Sequence, residues 1–208
     1  MKKISGYIGL GVLGTLAFGL LFYLVLSLIS LGTIFDAFGR DAGRGFVILL
    51  AWIGSVSIMS LLVVFLAISL IKAIPNINKV DDEDKSLFRM NFISGLLAIE
   101  MVYSTIFTFI LTAMSGNRVG GASIVAFILA LIAAGAAVVS FLFKKLPLLV
   151  RIILNLVAQF LALVLIILSI GNGGLYTVYA IFAMLALFGG LAYVVLSNLD
   201  CFKGQNKQ

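Results

Sequence analysis

The chain predicts an all-α membrane protein: a bundle of six transmembrane helices with short loops, N-in and C-in. Three observations lead there. Of 208 residues, 63% are hydrophobic and 11% are charged, and the mean hydropathy is +1.26. A water-soluble domain carries about 45–50% apolar and about 25% charged residues, so lipid has to be the solvent of this surface. Six apolar segments reach the ~20 residues that a helix needs to cross a bilayer core. The basic residues fall mainly in every second connection, as the rule for cytoplasmic loops requires.

The expected spans are 7–35, 45–74, 88–114, 122–143, 146–170 and 175–199, in one polytopic domain covering 1–208. The first is long for a simple span, which implies tilt or an interfacial turn. It follows Lys2 and Lys3 without a small-residue cleavage pattern, and it reads as a retained signal anchor. With the N-terminus inside, the inner side holds Lys2, Lys3, Lys72, Lys79, Lys85, Arg89, Lys144, Lys145, Arg151, Lys203 and Lys207. The outer side holds Arg40, Arg44 and Arg118. Eleven against three places both termini in the cytoplasm, and the composition fits a bacterial cytoplasmic membrane.

The outer connections, DAFGRDAGRG (36–45), SGNRVGG (115–121) and GNGG (171–174), are short and Gly-rich and read as tight hairpin loops. The inner connection PNINKVDDEDKS (75–86) carries an acidic run, Asp81 to Asp84. It lacks the alternating ligands of a calcium loop and reads as a solvated loop ending in a Ser86 helix cap. A cluster of small residues from Ala130 to Ala137, and the glycines of the first and last spans, read as helix-packing surfaces, within the bundle or between copies. Tyr7, Tyr23, Trp52, Tyr176, Tyr179 and Tyr193 read as aromatic belts.

Glu100 stands out against this background. It lies within LLAIEMVYSTIFTFILTAM (96–114), and a carboxylate at bilayer depth costs about 2.5–3.5 kcal/mol to insert. Four-residue spacing continues it as a row, Ser104, Thr108 and Thr112. The fifth span carries a second row, Arg151, Asn155 and Gln159. At about 1.5 Å per residue, Asn155 and Gln159 lie roughly 14 Å and 20 Å above the expected start of their span, bracketing Glu100 at roughly 18 Å. The two rows are therefore expected to meet, forming a path for a proton or cation with Glu100 at the junction. The plainer reading makes the same residues interhelical glue, with Ser and Thr bonding their own helix and Arg151 snorkelling.

The sequence has no His, a single Cys201, no phosphate-binding loop and no nucleophile elbow. No catalytic residue, metal site or cofactor is expected, and the chain is not expected to be an enzyme. Its expected partners are the lipid bilayer and a second copy or a membrane subunit; nucleic acid is not, because the cations flank spans and form no patch. The function expected is movement, or help in moving, a small solute or ion. The alternative is a non-transporting subunit, scaffold or immunity protein acting through helix–helix contacts. The topology has a direct test. Cysteines placed at Asn117 and Lys207 should react with an impermeant thiol reagent from opposite sides of the membrane, and reaction of both from one side would reject it.

Overall fold

A computed structural model describes residues 2–73, 83–170 and 176–198. The described residues form seven α-helices: α1 (Lys2–Ile29), α2 (Leu31–Arg40), α3 (Ala42–Ala73), α4 (Glu83–Met114), α5 (Gly121–Leu142), α6 (Leu148–Ile170) and α7 (Tyr176–Ser197). No strand occurs among them. Six candidate spans are long and apolar enough to cross a membrane, α1 and α2 together making up the first.

The expected first loop is mostly helix, which corrects the reading of 36–45. The cause is local. The carbonyl of Ser27 accepts two side-chain donors, the Ser30 hydroxyl at 2.7 Å and the Trp52 indole N–H at 2.8 Å. Both lone pairs are then used, none remains for the N–H of Leu31, and α1 ends at Ile29. The chain resumes at once as the short amphipathic α2, which buries Ile34 and packs on α3. Gly45 permits this packing, because a Cβ there would sit 2.7 Å from the Phe38 Cα. Asp41 separates the two helices, and its carboxylate accepts from the backbone N–H of Arg44 at 3.1 Å, capping α3.

The loop after α4 is a tight turn as expected. Asn117 N–H reaches the Thr112 carbonyl and Gly116 N–H the Ala113 carbonyl. This is the Schellman closure, and it needs a left-handed residue, here Gly116 at φ 72°. Ser86 is not a cap. Helix α4 already runs from Glu83, and Ser86 is fully buried, accepting from the Asn198 amide at 3.5 Å. The acidic run through Asp82, the GNGG turn and Cys201 lie outside the described residues.

The six long helices form a ring in chain order. Each packs on the next, α7 closes back on α1, and α4 also leans across to touch α6 and α7. The α1–α7 seam is the most extensive contact. Its register is antiparallel: Gly9 faces Tyr193, Val12 faces Gly189, Gly19 faces Phe182, and Tyr23 meets Tyr179. Glycine allows the first three of these approaches; a Cβ at Gly19, for instance, would lie 2.6 Å from Phe182 Cβ. The alanine cluster splits by face. Ala130, Ala133 and Ala137 are buried, with Ala137 against Gly95 of α4, whereas Gly135 looks into open space.

Of the aromatics expected in belts, Tyr7 is exposed, whereas the others whose side chains are described are engaged within the bundle. Tyr193 is 2% exposed, Trp52 is tied to α1, and Tyr23 and Tyr179 pack across the seam as tilted rings with centroids 5.0 Å apart.

The seam predicts opposite outcomes for two glycines on one helix. Gly19→Ala should lower the thermal midpoint in detergent, at a cost of about 1–3 kcal/mol for overpacking. Gly14→Ala meets nothing within 4 Å, and should be neutral or stabilising by roughly 0.5–1 kcal/mol through helix propensity. Equal effects from both would show that the seam does not pack this way.

Candidate functional site

Helix α4 carries two polar centres on opposite faces. Asn91 and Glu100 are nine residues apart, and at about 100° per residue they point about 180° away from each other. Each therefore meets different helices.

Glu100 faces α1, α3 and α7. The Ser55 hydroxyl of α3 donates to its Oε1 at 2.9 Å. Ser55 has only one proton, so the 2.7 Å contact between Tyr23 and Ser55 runs from the tyrosine O–H to the serine oxygen when Glu100 is ionised. The result is an ordered chain, Tyr23 to Ser55 to Glu100. Tyr179 packs against Tyr23 with its ring tilted 54°, and lies within electrostatic range of the carboxylate. These residues share a level. Ser55 is 18 residues from the end of α3 at Ala73, about 27 Å, and Glu100 is 17 from the start of α4 at Glu83, about 26 Å. No Lys or Arg among the described residues forms an ion pair with Glu100.

Asn91 faces α5 and α6. There the hydrogen bonds set their own directions. The Ser140 hydroxyl donates to the Arg151 carbonyl at 2.8 Å, so it must accept from the Asn91 amide, also at 2.8 Å. This fixes the Asn91 amide, whose Oδ1 accepts from Asn155 at 2.6 Å. The Asn155 Oδ1 in turn accepts from Gln159 at 2.5 Å. Asn155 and Gln159 are completely buried and Asn91 is 3% exposed. The chain ends on the Gln159 Oε1, which has no hydrogen-bond partner and abuts Gly190 of α7. Arg151 braces the other end, its Nε donating to the Ser140 carbonyl at 3.3 Å.

The expected meeting of Glu100 with Asn155 or Gln159 is therefore not formed. The error lay in measuring height from the onset of hydrophobicity. Helix α4 begins at Glu83, before its apolar stretch, so Asn91 lies about 12 Å along α4 and Asn155 about 11 Å along α6. Asn155 is level with Asn91, well below Glu100. The Ser104, Thr108 and Thr112 row does not extend the Glu100 cluster either. Each hydroxyl bonds a carbonyl of its own helix: Ser104 to Met101, Thr108 to Ser104, and Thr112 to Thr108. Ser104 and Thr108 instead line an open groove of about 370 Å³ beside α5.

Sequence reasoning missed Ser55, Tyr23, Tyr179, Asn91 and Ser140 as members of these centres. A polar residue level with Glu100 on another span, such as Ser55, was the available signal. Among the described residues no group of three His, Cys, Asp or Glu side chains converges as metal ligands would.

Comparison with known proteins places the chain in no family: no family model, curated protein or solved structure matches it.

The two polar chains differ in what they hold up. Asn155→Ala removes a donor and an acceptor from buried partners and should cost about 1–3 kcal/mol or more, seen as a lower midpoint for unfolding in detergent. Thr108→Val removes only a self-helix bond from an exposed position and should stay within about 0.5 kcal/mol. A neutral Asn155→Ala would show that the buried amide chain is not formed.

Proposed function

We propose that this is a six-span integral membrane protein, N-in and C-in in a bacterial cytoplasmic membrane, that moves or helps to move a small solute or ion. Glu100 is its proton- or cation-binding residue. The single observation behind this reading is a half-buried carboxylate among the apolar helices, with no cationic side chain among the described residues paired to it. A charge there needs compensation beyond the single Ser55 hydroxyl donor, and a proton or a small cation would supply it. Loading and unloading would then alternate the centre between two charge states.

The hydrogen-bond chain suits such alternation. With Glu100 ionised, the protons point from Tyr23 through Ser55 to the carboxylate. With Glu100 protonated, the same oxygens can bond in the reverse sense, Glu100 donating to Ser55 and Ser55 to Tyr23. Four helices contribute to the centre, α1, α3, α4 and α7, and a change of charge would bear on the α1–α7 seam through Tyr23 and Tyr179. Coupling between site and bundle then needs no further element. The polar residues first read as a path divide into separate roles: Arg151, Asn155 and Gln159 with Asn91 hold α4, α5 and α6 together, and Ser104, Thr108 and Thr112 line a lateral groove or bond their own helix.

A second reading is a non-transporting subunit. It is favoured by the self-bonded hydroxyls above Glu100, which leave no hydrogen-bonded row leading away from it.

Infrared difference spectroscopy on reconstituted protein separates the two. A change of pH, or of sodium or potassium concentration, should alter a carboxyl band that is absent in Glu100→Gln. Proteoliposomes carrying an internal pH- or cation-sensitive dye should lose at least ten-fold of their protein-dependent flux in the same variant, with folding intact. A Glu100→Gln protein indistinguishable from wild type in both measurements would reject the transport reading and leave Glu100 as interhelical glue.

A further inference from the structure

At the end of the bundle where α3 finishes and α4 and α6 begin lies a cavity of about 510 Å³. This is within the size of small-molecule sites, roughly 300–1,000 Å³. Four cations line it: Lys72 of α3, Arg89 of α4, Lys144 from the α5–α6 connection and Arg151 of α6. No acidic residue lines it among those described. A topological excess of cations explains why such residues sit at this end of the bundle. It does not explain why four segments turn theirs toward one cavity. At least two of the four are held in place by the protein. Arg89 donates to the Tyr193 hydroxyl at 3.4 Å, and Arg151 donates to the Ser140 carbonyl at 3.3 Å. Lys72 and Lys144 are exposed at the mouth.

The remaining wall is aromatic. Phe65, Phe88 and Phe141 line the same cavity and form a continuous row, with centroids 6.2 Å apart between Phe65 and Phe88 and 5.4 Å between Phe88 and Phe141. Phe88 is 46% exposed. A cationic mouth joined to an apolar wall is complementary to a molecule with an anionic head and a hydrocarbon tail. Basic pockets between spanning helices bind anionic phospholipid heads on the same principle. Arginine adds planar, bidentate donors suited to phosphate oxygens.

We propose that this cavity binds the phosphate head group of an anionic phospholipid, with an acyl chain laid along the Phe65–Phe88–Phe141 wall. The site is independent of Glu100. It adjoins the buried amide chain, since Asn91 lines the cavity and bonds both Ser140 and Asn155. A lipid seated there would bridge α3, α4 and α6 at their common end.

The test uses the full chain purified in an uncharged detergent and titrated with phosphatidylglycerol, phosphatidylcholine or inorganic phosphate. Native mass spectrometry reads retained ligand, and the thermal midpoint reads stabilisation. Phosphatidylglycerol should be retained saturably and raise the midpoint; phosphatidylcholine and inorganic phosphate should do neither. Lys144→Glu should weaken phosphatidylglycerol binding at least ten-fold, and its exposed position keeps the fold out of the result. Lys145→Glu is the matched control. It makes the same charge change one residue along, at an exposed lysine that does not line the cavity, and should change binding less than two-fold. Equal binding of the two lipids would overturn the proposal. So would stabilisation by inorganic phosphate equal to that by phosphatidylglycerol, which would make the site one for a small free anion. Equal loss in the two lysine variants would overturn it as well, by showing a diffuse field in place of a site.

Discussion

In a bundle this apolar, buried polar side chains have to find most of their partners inside the protein, and α4 carries the two residues around which they gather. Its nine-residue separation of Asn91 from Glu100 turns one amide and one carboxylate to opposite sides. The amide fastens α4 to α5 and α6 through Ser140 and Asn155. The carboxylate gathers Ser55, Tyr23 and Tyr179 from α3, α1 and α7. The lean of α4 across the ring toward α6 and α7 follows from serving both halves.

The two centres nonetheless differ in chemistry. The Asn91–Asn155–Gln159 chain is neutral, with every direction fixed from the Ser140 hydroxyl onward. It can be made or broken, but it has no second charge state. The Glu100 cluster has interchangeable donors and an ionisable acceptor. Fixed amides suit a fastening, and a reversible hydroxyl–carboxyl chain suits a group that changes charge. This contrast is the physical ground for seeking activity at Glu100 and architecture at Asn155.

The six spans were legible because length and hydropathy alone decide them. Glu100 was legible because a carboxylate in such a segment is costly wherever its side chain points. Its partners were not. Tyr23 and Tyr179 look like belt residues until the α1–α7 register brings them together, and that register depends on residues over 150 positions apart in the chain. Asn91 escaped notice because it lies outside the four-residue row through Glu100, and the height comparison failed because α4 starts before its apolar stretch. Helix α2 was divided between the first span (to 35) and a loop (36–45) because the break at Ile29 is set by Trp52, a donor from the next helix. Asn155 and Gln159 were rightly seen as one row, though the row serves Asn91.

The ring closes only through its first and last helices, and this bears on how the protein is made. Synthesis at about 5–20 residues per second puts roughly 10–30 s between the emergence of α1 and that of α7. Throughout that interval the glycine-notched face of α1, shaped to receive Tyr193, Gly189 and Phe182, has no cognate surface. Nascent α1 must therefore wait with that face unmatched. Any delay in finishing the chain lengthens the time in which that face can pair with the wrong helix.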